Sequence, residues 1–148
     1  MAKKDLRSSV VGVFINDAGL ILAGQRKDTC VWQCPQGGIE ENETYRDALE
    51  REIKEEIGLC RFSVIQEMED LLTYEFPEGM KGPVAKNYRG QKQKWFLCKL
   101  LDEEPSLERA VDQEFIALAW LEPMKLLDQI IYWKRSVYEE AFTFFKLI

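Results

Sequence analysis

A mixed β-sheet packed between helices, in one α/β domain over residues 1–148, is the fold class that this sequence predicts. Three observations lead there. Short apolar segments with strand patterning alternate with helical patterns, no internal repeat or low-complexity linker divides the chain, and a hydrophobic content of 46% suits one domain with a substantial core.

The elements follow in order. Val10 to Ile15 and Leu20 to Gln25 flank the turn-rich tetrapeptide Asn16-Asp17-Ala18-Gly19, which predicts a β-hairpin. Val31 to Cys34 is a further short strand leading into Pro35-Gln36-Gly37-Gly38, a tight loop in which glycine can take conformations closed to other residues. Thr44 to Ile57 has helical periodicity, with Asn42 or Thr44 as N-cap candidates and Gly58 as the stop. Strands are expected around Phe62 to Glu67, Leu71 to Phe76, Lys94 to Leu100 and Phe115 to Leu121. From Pro123 to Ile148 the pattern is helical, and Pro123 suits a first turn.

Charge and composition exclude several function classes. A net charge of -6 is unlike a generic nucleic-acid coat, whose binding rests on an overall basic surface. No segment approaches the roughly 18 consecutive apolar residues of a membrane span, and Val10 to Ile15 lacks the full apolar region and cleavage site of a secretory signal. A cytoplasmic protein without a membrane partner is the expectation. The four cysteines, Cys30, Cys34, Cys60 and Cys98, lack the usual zinc spacing and are expected to be reduced and mostly buried. The chain has no histidine, so His-dependent triads, His-ligated zinc and a histidine base are all ruled out. Acid-base work must fall to carboxylates, lysine, tyrosine or metal-bound water.

Helix geometry concentrates the chemistry. At about 100° per residue, Glu52, Glu55 and Glu56 share an arc of about 100°, beside the apolar stripe of Leu49, Ile53 and Ile57. Like charges so placed repel by a few tenths of a kcal/mol per pair, which a bound cation would reverse. Oxygen-only ligands favour a hard ion, Mg2+ or Mn2+.

The stretch Gly37 to Leu59 also fits the spacing G-x5-E-x7-R-E-U-x-E-E-x-G-U, where U is a bulky aliphatic residue, through Gly37, Glu43, Arg51, Glu52, Ile53, Glu55, Glu56, Gly58 and Leu59. On these residues the chain resembles the Nudix hydrolases. The resemblance implies an α/β/α sandwich and metal binding by Glu52, Glu55 and Glu56, with one of these or a glutamate outside the motif as general base. It further implies that Arg51 orients the glutamates by ion pairing and that the Gly37 backbone lies near the metal. Glu43 reads as structural, since an acidic residue in a first helical turn suits the helix dipole.

A narrower resemblance covers nearly the whole chain. Trp32-Gln33-Cys34-Pro35-Gln36-Gly37-Gly38-Ile39 and Gly90-Gln91-Lys92-Gln93-Lys94-Trp95-Phe96-Leu97 are similar to segments of bacterial RNA pyrophosphohydrolases and asymmetric diadenosine tetraphosphate hydrolases. It implies a further metal ligand or base at Glu114, in Asp112-Gln113-Glu114-Phe115, and substrate contacts at Arg26 and Tyr74. Those relatives open with a Tyr-Arg-Pro triplet, whereas this chain has Leu6-Arg7-Ser8-Ser9, with Arg7 displaced by one residue in the simplest alignment.

Lys81 to Lys99 carries six basic residues and no acidic one, which in an acidic protein reads as a phosphate-facing surface. Alternation puts Lys92 and Lys94 on one face of their strand, where they are substrate-binding candidates, and Gln91, Gln93 and Trp95 on the other. Trp133, just before Lys134, is a candidate to stack on a purine. The expected activity is Mg2+-dependent removal of pyrophosphate from 5'-triphosphorylated RNA. The alternatives are asymmetric cleavage of diadenosine tetraphosphate to ATP and AMP and, more remotely, a non-catalytic nucleotide-sensing or RNA-binding module. The expected partner is a nucleotide 5'-polyphosphate, with no obligate protein partner, for a monomer or homodimer.

Overall fold

The computed structural model describes residues 4–148. Its elements run β1 (Leu6–Phe14), β2 (Ile21–Arg26), β3 (Trp32–Gln33), β4 (Gln36–Gly38), α1 (Tyr45–Ile57), β5 (Phe62–Glu67), β6 (Leu72–Glu75), α2 (Pro83–Asn87), β7 (Gly90–Leu100), β8 (Phe115–Leu121), α3 (Pro123–Gln129) and α4 (Arg135–Phe144), with a 3-10 turn at Tyr132–Lys134 before the last helix. The long strand β7 organises the larger sheet. It lies parallel to β1 along one edge, from Leu6 against Gly90 to Phe14 against Cys98, and its other edge is shared by β6 and β5, both antiparallel. The antiparallel β4 completes this mixed five-stranded sheet beyond β1.

Side-chain alternation gives the sheet two apolar faces. Val11, Val13, Trp95 and Leu97 pack with Leu126 of α3 and Tyr138, Ala141 and Phe142 of α4. Val10, Phe14, Phe96 and Cys98 pack instead with Ala48, Leu49, Ile53 and Ile57 of α1. The result is the helix–sheet–helix layering that the alternating pattern predicts. Among the described residues, no helix is long and apolar enough to cross a membrane.

Three expectations need correction. The first two strands do not continue as a hairpin: after the turn at Asn16, whose Oδ1 accepts from the N–H groups of Ala18 and Leu20, they meet only at an Ile15–Ile21 bridge and part. Both edges of β1 are taken by β4 and β7, so β2 joins β3 and β8 in a second, three-stranded antiparallel sheet. The Gly-Gly segment is not a loop either. It is β4, and neither glycine has a positive φ. Third, Cys34 and Cys98 are buried as expected, whereas Cys30 and Cys60 are exposed; all four are free thiols.

Candidate active site

The geometry starts with the capping of α1. Thr44 accepts from the Asp47 N–H at 3.1 Å while the Asp47 carboxylate accepts from the Thr44 N–H at 3.2 Å, a reciprocal capping box. Gly58, at φ 63°, closes the other end, its N–H donating to the Lys54 carbonyl. Between these stops the buried stripe of Ala48, Leu49, Ile53 and Ile57 turns Glu52, Glu55 and Glu56 toward β4 and the loop before β8.

Glu56 is the deepest of them, 1% exposed. Its Oε1 accepts from the backbone N–H of Gln36 at 2.8 Å, and its Oε2 is buried with no hydrogen-bond partner. Glu52 packs against Gly37 so closely that a Cβ there would clash with the Glu52 carboxyl group. This is why a glycine stands at position 37: it provides room rather than an unusual backbone angle. Arg51 ties the group together. Its Nε and Nη2 donate to the two oxygens of Glu43 at 2.7 and 2.9 Å, Nη2 also to the Gly38 carbonyl at 2.7 Å, and Nη1 to Glu52 at 2.7 Å and Glu55 at 3.3 Å.

The electrostatics follow from this packing. Burial pushes the Glu52 carboxyl up to about 7 against the opposing pull of Arg51. Burial, reinforced by the charge of Glu114, raises Glu56 well above the ordinary carboxylate range, with the Gln36 N–H acting the other way. The hydrogen bond to Arg51 holds Glu43 low. One oxygen each from Glu52, Glu55 and Asp112 lie within 4.8 Å of one another. An all-oxygen set with a buried, unpartnered carboxylate oxygen beside it fits a hard divalent cation.

The carboxylates line a cleft of about 450 Å³ together with cationic and aromatic groups. Arg26 reaches it from the end of β2, where a bulge between Gln25 and Arg26 breaks the register with β8. Two 2.8 Å hydrogen bonds hold its guanidinium on Asp28. Burial lowers Lys134 to about 8, with the neighbouring Arg26 charge adding to the effect. The Lys134 ammonium lies 5.3 Å from the ring centroid of Trp133, and Trp133 itself packs on Tyr74 at 5.5 Å between centroids and on Phe76 at 5.8 Å. Arg7, neighbouring Gln91 across the sheet, extends over Gly38 into the same cleft.

Of the residues singled out in the sequence, Gly37, Arg51, Glu52, Glu55, Glu114, Arg26 and Trp133 line this cleft together. Glu56 and Tyr74 are buried just behind its walls. Lys92 and Lys94 are not brought to it, a correction with a simple cause: β7 turns Gln91 into the cleft, so its alternate residues face the α1 side of the sheet. There the Lys94 side chain, 10% exposed, pairs with Glu67 at 3.4 Å. Sequence reasoning missed Arg7, Asp28, Gln91, Asp112 and Lys134 as cleft residues. For Gln91 the signal was present in the alternation along β7. For the others the position depends on contacts between segments remote in the chain.

Comparison with known proteins places these residues in a wider setting. The NUDIX domain model matches residues 5–141. The chain is similar to an RNA pyrophosphohydrolase of Cereibacter sphaeroides, 41% identical over 140 residues, covering 90% of this chain and 86% of the relative. It is likewise similar to an RNA pyrophosphohydrolase of Zymomonas mobilis, 36% identical over 151 residues, covering 98% and 97%. Among solved structures it is similar in fold to the dihydroneopterin triphosphate pyrophosphohydrolase of E. coli, with a TM-score of 0.72 at 24% identity, covering 93% of this chain and 97% of that one.

Proposed function

The chain belongs to the Nudix family, and from that premise we infer that it hydrolyses 5'-linked polyphosphates, removing pyrophosphate from 5'-triphosphorylated RNA to leave a 5'-monophosphate. The observation that carries this reading is that one cleft brings clustered carboxylates together with Arg26, Lys134 and Trp133. A nucleotide 5' end carries the matching chemistry: a polyanionic chain for cations and a flat, stackable base for the indole. The two relatives named RNA pyrophosphohydrolase, similar over most of both chains, support the choice of substrate.

Each residue then has a task. Glu52, Glu55, Glu56 and Glu114, with the backbone of Gly37 beside them, would hold the divalent ion. Mg2+, or Mn2+ in its place, supplies charge neutralisation of the phosphates and an acidified water when bound. Arg51 keeps Glu52 and Glu55 aimed by occupying one oxygen of each. The Gln36 N–H fixes Glu56 at the bottom of the site. Arg7, Arg26 and Lys134 meet the anionic substrate, and Trp133, backed by Tyr74, offers a stacking surface for a base. The four free thiols suit a reducing compartment, and we place the protein in the cytoplasm.

The test is a side-by-side measurement of kcat/KM on 5'-triphosphorylated RNA and on diadenosine tetraphosphate, with Mg2+ and with chelator. We expect RNA to be preferred at least tenfold and chelator to abolish both reactions. A reversed preference would move the assignment to dinucleoside polyphosphates, and turnover in metal-free solution would overturn the metal-dependent reading altogether.

A further inference from the structure

Asp112 lies outside the helical motif, on the loop of residues 101–114 between β7 and β8. This loop closes over the C-terminal end of α1. The Ser106 N–H donates to the Ile57 carbonyl at 2.7 Å, the Arg109 guanidinium to the Gly58 carbonyl at 3.2 Å and the Asp112 N–H to the Glu55 carbonyl at 2.9 Å. Carbonyls in the last turn of a helix have no partner within it, so the loop is seated by bonds that the helix end requires. The third of these bonds delivers Asp112 to the carboxylate arc.

There one oxygen each from Asp112, Glu52 and Glu55 lie within 4.8 Å of one another, and all three residues line the cleft. Arg51 occupies Oε1 of Glu52 and Oε2 of Glu55, leaving the second oxygen of each without a donor among the described residues. The Asp112 carboxylate has no hydrogen bond or ion pair among them. An independent sign of a cation comes from Glu56 on the same helical arc, whose buried Oε2 has no partner either. A carboxylate oxygen withdrawn from water and left without a donor is unfavourable unless a positive charge faces it.

We propose that Asp112 is a ligand to a divalent cation held jointly with Glu52 and Glu55. The inference rests on the metal-dependent reading given above and extends the ligand set beyond the helix. An octahedral ion with metal–oxygen distances of about 2.1 Å sets adjacent ligand oxygens about 3 Å apart and opposite ones about 4.2 Å apart. The spacing of the three oxygens, within 4.8 Å of one another, lies close to that range. The loop thus contributes two carboxylates, Asp112 beside Glu52 and Glu114 beside Glu56.

The experiment titrates Mn2+ into metal-stripped protein while free Mn2+ is followed by electron paramagnetic resonance. Asp112→Asn should weaken binding at least about tenfold or remove one bound ion. Glu108→Gln, an equal charge change at an exposed position of the same loop, should stay within about twofold of the unaltered chain. Unchanged affinity and stoichiometry in Asp112→Asn would overturn the proposal while leaving the metal-dependent reading intact. Failure of the unaltered chain to bind Mn2+ would overturn both. Asp112→Cys separates ligation from loop packing, because a thiolate ligand favours Cd2+ over Mn2+. If Asp112→Asn weakens Mn2+ but Asp112→Cys gains no preference for Cd2+, the loop acts only structurally and the assignment fails.

Discussion

Glu56 is a residue whose stability cost and functional value have opposite signs. Buried at 1% exposure with one unpartnered oxygen, its carboxyl holds a proton more tightly in the folded than in the unfolded chain. Metal-free stability therefore falls as pH rises above the ordinary glutamate range of about 4.3, because the folded state is then the one that binds more protons. Glu56→Gln keeps an acceptor for the Gln36 N–H and removes the charge. It should raise the melting temperature of the metal-free protein at neutral pH by about 3 °C, for a gain on the order of 1 kcal/mol, while lowering turnover at least about a hundredfold. Thermal melts and steady-state rates on one preparation check both, and a variant that is active or less stable contradicts the account. Lys134 gives a second prediction. Its pKa of about 8 means that it sheds its charge as pH rises through that value, so kcat/KM should decline there. In Lys134→Arg, which stays charged, that alkaline decline should be absent; a limb at the same pH in the variant would assign it to another group.

Elements differed in how far the sequence alone exposed them. Helix α1 was legible because its signals are local: a threonine cap with an acidic residue three positions on, a 3.6-residue apolar period and a glycine stop. Three metal-binding candidates and Arg51 came with it, since they ride on that helix. The pairing of strands was less legible. Asn16 to Gly19 forms a turn as expected, yet β1 and β2 separate because β4 and β7 occupy β1, and turn chemistry carries no information about such distant competitors. The basic run before Trp95 misled for a related reason. A row of lysines identifies a charged face but not which face meets the cleft, and it was Gln91 that pointed inward. In the C-terminal region the helical pattern was correct, but the break after Gln129 has neither proline nor glycine to announce it: Ile130 is simply extended, at φ -70° and ψ 137°. That break orients Trp133 and Lys134 toward the cleft.

At the scale of the whole molecule, the site is a meeting point rather than a segment. The carboxylates come from α1, the facing loop from the passage between β7 and β8, Arg26 from the smaller sheet, Arg7 from the first strand and the aromatic wall from the approach to α4. The motif made one part of this assembly readable, and the remainder depends on tertiary pairing. The parallel contact of β1 with β7 has a consequence for the order of assembly. Its partners lie at opposite ends of a long intervening stretch, and closing so large a loop is slow compared with forming local turns and helices. During synthesis the first strand must therefore wait, its hydrogen-bonding edge unmatched, until Gly90–Leu100 has left the ribosome. Pulse-labelled hydrogen exchange during refolding should find amides of α1 protected before those of β1; simultaneous protection would refute this order. A nascent chain would thus have its carboxylate-bearing helix early and the complete cleft only after β7 and the segments that follow it have emerged.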